Sequence, residues 1–339
     1  MTTDPVSRTE TRRRAVEFPD DPRALLASMW PPLARSDLAA LPKTLRRAAA
    51  VGGAAVAHGR IRRLMQFVQV IRKRAARYAT TKTWSLTAPN GRVIHFPAAD
   101  PGAVAFKEMA DKHGGADYER ALIEFVVPRL RPGDVFVDVG AHVGYVSAFA
   151  ATTGAAVFAI EIQRELIPLI EQLATINDFD LLRPLHAGAS RVPGLGMIPR
   201  IDVTPGAGLS SETHRITSED TRSMADDFVP LITLDDAFGR DRLWPTIVKV
   251  DVEGHEIAVV EGARRIIERR QTIFVIEFHG HLIGHYHGAA TDLLAAFPAT
   301  HWRWSQLTDD GLRAIAGMAD IQPDPRDPNP KLVFEPRDG

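Results

Sequence analysis

Three groups of residues in this chain could do chemistry. The first is Asp138-Val139-Gly140-Ala141-His142-Val143-Gly144-Tyr145, in which an apolar run ends in an acid, turns through two glycines and opens a helix. Gly140 lets the backbone approach a ligand closely, Gly144 lets the helix start pack tightly, and N–H groups at that start favour an anionic group. About twenty residues on, Glu161 closes the next apolar run, where a carboxylate can accept both hydroxyls of a ribose. A dinucleotide site needs G-x-G-x-x-G, whereas this chain has D-x-G-x-x-x-G, which disfavours a nicotinamide oxidoreductase. The acid is awkward for a pyrophosphate but suits a cationic amino-acid portion. S-adenosyl-L-methionine (SAM), with its ammonium, carboxylate, ribose and sulfonium, fits this pattern. The plain alternative is a tight strand-to-helix turn with no ligand.

The second group is acidic. Asp251 and Glu253 follow the run Ile247–Val250, and Glu277 with His279 ends the run Thr272–Phe278. In an open α/β sheet such positions face the ligand crevice. A group transfer in that crevice would need alignment of the reacting atoms and a base to draw off a proton. His279 is the base best tuned to neutral pH, and Asp251 and Glu253 are the carboxylate candidates. Glu253 and Glu256 could instead only cap the helix that begins near Gly254.

The third group is His279, His281, His285 and His287, spaced H-x-H-x3-H-x-H among Gly280, Gly284 and Gly288. The chain has no cysteine, which excludes disulfide frameworks, iron–sulfur clusters and thiolate zinc sites and leaves His, Asp and Glu as the available metal ligands. Asp251 and Glu277 could complete a set with these histidines. The plainer reading is adopted here: a polar, glycine-punctuated loop over the site, with no metal.

Short unbroken apolar runs alternate with amphipathic segments to position these groups. Val135–Val139, Ala156–Ile160, Ile247–Val250 and Thr272–Phe278 read as strands. Helices are expected from Tyr145, over Arg164 to Ile176 and over His255 to Arg269. Runs without polar alternation, separated by helices, indicate a parallel sheet covered on both faces. Upstream, residues 83–97 read as a hairpin around Asn90-Gly91, and a helix is expected from Tyr118 to Leu130, cut short if Pro128 ends it. Residues 189–230, rich in Gly, Pro, Ser and Thr, form an insertion that could cap the strand ends.

Several blocks together resemble the FkbM-type SAM-dependent methyltransferases. They are Tyr118-Glu119, Arg131-Pro132-Gly133-Asp134, Val137–Tyr145, Glu161, Asn177, Leu234-Asp235-Asp236, Lys249–Glu256 with its D-V-E-G-x-E core, and Ile273–Glu277. The similarity covers about residues 83–300, with a last strand at Lys331–Glu335. It implies an α/β class I methyltransferase (Rossmann-like) fold with a mostly parallel seven-stranded sheet. It also implies O-methylation of a hydroxyl on a sugar, glycolipid or other natural product. Asp138, Gly140, His142, Gly144, Tyr145 and Glu161 would surround SAM, Ala187 would lie near the adenine, and Asp251 would be the base. Where the family has Glu-Pro after the second strand, this chain has Glu161-Ile162, which loosens the turn but keeps the carboxylate.

Across 339 residues the formal net charge is −1. That total hides a division between residues 1–80, net +10, and the remainder, net −11. Residues 1–82 read as a basic, partly helical extension and residues 83–339 as the methyltransferase domain. From Arg60 to Tyr78, apolar residues recur at helical spacing among arginines. Such a helix either packs on the acidic body or meets an anionic membrane surface. No apolar run of transmembrane length exists and no export signal persuades, so a cytoplasmic protein with peripheral membrane contact is expected. The expected partner is a hydroxylated small-molecule or glycan acceptor, not a nucleic acid. The competing expectation is a non-catalytic scaffold with a vestigial SAM site and a surface-binding arm.

Overall fold

In the computed structural model the chain divides into two units, residues 1–77 and 78–339. The structure describes residues 82–98, 101–112, 115–199, 226–239, 243–283, 289–322 and 329–337. The expected basic helix at Arg60–Tyr78, the middle of the 189–230 insertion, and His285 and His287 lie outside the described residues.

In chain order the strands are β1 (Thr83–Thr87), β2 (Val93–Pro97), β3 (Val135–Val139), β4 (Ala156–Glu161), β5 (Leu182–His186), β6 (Gly188–Ala189) and β7 (Gly194–Pro199). They continue with β8 (Asp226–Ile232), β9 (Ile247–Val250), β10 (Ile273–Glu277), β11 (Trp302–Thr308), β12 (Gly311–Ala314) and β13 (Lys331–Pro336). The α-helices are α1 (Pro101–Lys112), α2 (Arg120–Val126), α3 (Tyr145–Ala151), α4 (Ile167–Ile176) and α5 (Leu234–Phe238). After them come α6 (Glu256–Glu261), α7 (Arg264–Arg269), α8 (Gly280–Ile283) and α9 (Ala290–Ala295).

The large sheet runs β12-β11-β13-β10-β9-β3-β4-β5. Its five parallel strands, β5, β4, β3, β9 and β10, lie in the doubly wound order, third-second-first-fourth-fifth. The chain's direction of progress reverses between β3 and β9, and ligands bind beyond the carboxyl ends of the strands at such a switch point. The last strand, β13, enters antiparallel beside β10. This is the Rossmann-like, mostly parallel α/β sheet expected, with one correction: it has eight strands, because β12 adds an edge beside β11.

Both faces of the sheet are covered, which is why the central runs lack polar alternation. All five residues of β3 are buried. Phe136 packs with α2, α3, α4 and the β1–β2 hairpin, while Val135, Val137 and Val139 join the opposite core with Phe238, Phe274, Phe297 and Phe334. The helix expected over Tyr118–Leu130 ends at Val126 and continues as a 3-10 turn containing Pro128, whose ring supplies no N–H. The helix expected over His255–Arg269 is two helices, α6 and α7. Gly262, between them, lies so close to the Ser190 carbonyl that a Cβ would overlap it. The insertion leaves the domain as an antiparallel pair, β7 with β8, and β6 lies parallel to β8.

Phe297 anchors the second core. It stacks on Phe334 at a ring-centroid distance of 4.1 Å and meets Trp302 and Phe274 edge-on at 5.1 Å. Phe297→Ala should therefore lower the unfolding free energy by about 3–5 kcal/mol in urea denaturation. A loss below about 1 kcal/mol would mean that this aromatic stack does not hold the sheet to α9.

Candidate active site

The carboxyl ends of β3, β4, β9 and β10 bring together both expected groups of residues. Asp138 on β3 and Lys249 on β9 are register partners on neighbouring strands. Lys249 is buried, and its three donors reach Asp138 Oδ1 at 3.1 Å, Asp251 Oδ2 at 3.2 Å and the Gly140 carbonyl at 3.1 Å. Burial disfavours its charge, but Asp138, Asp251 and Glu119 outweigh burial and raise its pKa above the ordinary lysine value. The same contact, with His279 and Lys331, overcomes the burial that would raise the Asp251 pKa and holds it below the usual carboxylate range. Asp138 also accepts from Ser147 Oγ at 2.6 Å and is fully buried. It sits beneath the turn, with Oδ2 accepting from Ser147 and Oδ1 in ion-pair contact with Lys249.

The glycine turn is shaped largely by the protein itself. Gly140 has φ +76°, and a Cβ there would overlap the Asp251 carbonyl oxygen. Its close neighbour on the Cβ side is thus the β9 loop. Gly144, φ +80°, matches its expected role, since a Cβ would press to 3.3 Å against Ile170 and Leu173 of α4. The N–H groups of Gly140 and Ala141 both donate to the Ile160 carbonyl at 3.0 Å, and Gly144 donates to Ala141. Tyr145 departs further from expectation: its ring is buried among Phe96, Phe106, Tyr118 and Phe149. Its phenol donates to the Tyr118 carbonyl at 3.4 Å, so the side chain belongs to the core.

Glu161 sits where a ribose carboxylate is expected. His142, in the left-handed region at φ +51°, donates its N–H to Oε2 at 2.7 Å, and Gln163 donates to Oε1 at 2.8 Å. Each oxygen keeps a second acceptor site for a hydroxyl. Burial pushes the Glu161 pKa up to about 7 against the pull of those two N–H groups and Lys249. Ala187, expected near an adenine, is buried and donates its N–H to the main-chain carbonyl of Glu161 at 3.1 Å.

A second cluster surrounds His279, which is 1% exposed. Its Nδ1 is 2.7 Å from Oε1 of the fully buried Glu256. The same oxygen accepts from the Gly254 N–H at 2.9 Å, so Glu256 both closes the loop before α6 and orients the imidazole. His279 Nε2 lies 3.5 Å from Glu253, 3.8 Å from Glu277 and 3.9 Å from Asp251. Burial works to lower the His279 pKa, but Glu256, Asp251 and Glu253 raise it to about 9. Lys331, the register partner of Glu277, reaches Glu277 at 3.2 Å and Glu119 at 3.3 Å. His281, the next member of the histidine cluster, is exposed.

Lys249, Lys331, Glu119 and Ser147 are site residues to which sequence reasoning assigned no role. A signal did exist for Lys249: a lysine within the buried run Ile-Val-Lys-Val needs a partner, and Asp138 is the acid in the neighbouring run.

Residues 138–297 match the model of the Methyltransferase FkbM domain family, the same family that the sequence motifs resemble. The hexuronic acid methyltransferase AglP of Haloferax volcanii is 26% identical over 172 residues. That match covers 50% of this chain and 65% of the relative, so the chain spans just under two thirds of that protein. The crystal structure of the methyltransferase FkbM from Methylobacillus flagellatus KT overlays with a TM-score of 0.36 at 18% identity, covering 68% of this chain and 58% of that one. A methyltransferase from Geobacter sulfurreducens overlays with a TM-score of 0.38 at 12% identity, covering 72% and 91%.

The Glu161 carboxyl has a folded pKa of about 7, above its ordinary value of 4.5. An acid raised in this way stabilises the fold fully below the unfolded pKa, and that stability is lost as pH rises through the folded one. Between pH 5 and pH 8 the stability of Glu161→Gln, relative to the unchanged protein, should rise by about 2 kcal/mol in urea denaturation. A pH-independent difference would place Glu161 in a more solvated setting.

Proposed function

We propose that this chain is a SAM-dependent O-methyltransferase acting on a hydroxyl of a sugar or glycan. The observation that carries the reading is Glu161: a buried carboxylate at the second strand end, held by two backbone N–H groups and keeping two acceptor sites for ribose hydroxyls. The FkbM domain and the hexuronic acid methyltransferase relative support the substrate class. SAM supplies the electrophilic methyl group when bound.

The chain's residues then have separable tasks. Glu161 orients the ribose. The Asp138–Lys249–Asp251 ladder fixes the β3 and β9 ends, and with them the crevice in which sulfur, methyl carbon and acceptor oxygen must align. Much of the rate can come from that alignment and from excluding water. The acceptor hydroxyl forms the new C–O bond as the C–S bond breaks with its electron pair going to sulfur. The hydroxyl proton passes to a carboxylate of the Asp251–Glu253 turn. Glu253, also in the left-handed region at φ +51°, and Gly254 bend that turn back toward the crevice.

Calorimetry with SAM and transfer of labelled methyl into uronic-acid-containing and neutral glycans test this directly. Glu161→Ala should weaken SAM binding by about a hundredfold, the loss expected for two charge-assisted hydrogen bonds. Asp251→Asn should lower kcat by about a hundredfold or more if this carboxylate takes the proton. A folded protein that binds no SAM would overturn the reading.

A further inference from the structure

His279 is held in a way that methyl transfer from SAM does not by itself require. Its Nδ1 is tied to a fully buried carboxylate, Glu256, at 2.7 Å, and the ring is 1% exposed. That leaves Nε2 aimed at three carboxylates, and among the described residues Nε2 hydrogen-bonds to none of them. Two of those carboxylates are themselves anchored. Asp251 places Oδ2 on Lys249 at 3.2 Å and turns Oδ1 to Nε2 at 3.9 Å, while Glu277 places Oε2 on Lys331 at 3.2 Å and turns Oε1 to Nε2 at 3.8 Å.

These separations are long for hydrogen bonds but short enough to share an ion. Ligand atoms about 2.1 Å from one cation lie about 3 Å apart at right angles and about 4.2 Å apart across it. One ligand atom each from Asp251, Glu277 and His279 can be chosen so that all lie within 4.8 Å of one another. A histidine whose other nitrogen is fixed by a carboxylate is the usual arrangement behind a metal ligand. Charge points the same way: Asp251, Glu253, Glu256 and Glu277 surround one imidazole, and the lysines paired with two of them, Lys249 and Lys331, are shared with Asp138 and Glu119.

We propose that Asp251 Oδ1, Glu277 Oε1 and His279 Nε2 bind a divalent cation of the Mg2+ or Mn2+ type, whose open positions take hydroxyls of the acceptor. Two carboxylate oxygens and one imidazole, with no sulfur, form a donor set suited to such ions. Resting on the methyl-transfer reading above, the cation holds the reacting hydroxyl at the strand ends and increases its acidity, so that its proton can pass to Glu253, a weak carboxylate base. The C–O bond then forms as the C–S bond breaks.

The test is titration of metal-free full-length protein with Mn2+ alone, read by loss of the free-ion electron paramagnetic resonance signal, with SAM titrated separately by calorimetry. The expected result is one Mn2+ per chain, displaced by excess Mg2+, with Glu277→Gln weakening Mn2+ binding by about tenfold or more while SAM affinity is retained. Electron spin echo modulation of the bound Mn2+ should show coupling to an imidazole nitrogen, a readout that needs no variant. SAM binding without Mn2+ binding, or bound Mn2+ with no nitrogen coupling, would overturn the cation site and leave the methyl-transfer reading standing. Mn2+ binding with nitrogen coupling in a protein that binds no SAM would support the cation site and overturn the methyl-transfer reading.

Discussion

Lys249 is a full positive charge inside a parallel sheet, where desolvation of an ammonium costs several kcal/mol unless each of its donors finds a partner. It has three donors and three partners: Asp138 on β3, Asp251 after β9 and the Gly140 carbonyl between β3 and α3. The remaining site geometry follows from that arrangement. Satisfying Lys249 draws the β9 loop against the glycine turn so closely that residue 140 has no room for a side chain. The loop then presents Asp251, Glu253 and Gly254 to the crevice, while the turn presents His142 to Glu161.

The site therefore has two halves that meet at Asp251. One half, Asp138, the glycine turn and Glu161, is built at the β3 and β4 ends and suits a cofactor carrying a ribose. The other, Asp251, Glu253, Glu256, Glu277 and His279, is built at the β9 and β10 ends and is the half that the proposed function assigns to the acceptor. Asp251 belongs to both, with Oδ2 on Lys249 and Oδ1 turned to His279. Lys331 performs for Glu277 what Lys249 performs for Asp251, through the antiparallel register of β10 with β13. Each lysine pairs with one oxygen of a carboxylate whose other oxygen turns to His279.

Much of this was legible in the chain because burial on both faces writes a strong pattern. Val135–Val139 and Ile247–Val250 were read at the bounds the structure shows, and Glu161 closes the second parallel strand as the apolar run before it indicated. What could not be read were contacts set by register between distant strands. The roles of Lys249 with Asp138 and of Lys331 with Glu277 depend on which strands lie side by side, and β13 joins β10 across more than fifty residues of chain. The edge hairpin β11–β12 was not expected although Asp309-Asp310-Gly311 marks its turn, because it lies beyond the segment that the family motifs span. The contact of His279 Nδ1 with Glu256 was not legible either, because the two residues belong to different elements.

The central claim is that the buried lysine organises both halves of the site, and Lys249→Met tests it most directly. The measurement is urea denaturation of Lys249→Met, Asp138→Asn and the double variant. The account predicts a loss of about 3–5 kcal/mol for Lys249→Met, because it leaves buried carboxylates unpaired. The double variant should recover part of that loss, because Asp138 no longer carries an uncompensated charge. A Lys249→Met protein within about 0.5 kcal/mol of the unchanged chain, or strictly additive losses in the double variant, would contradict it.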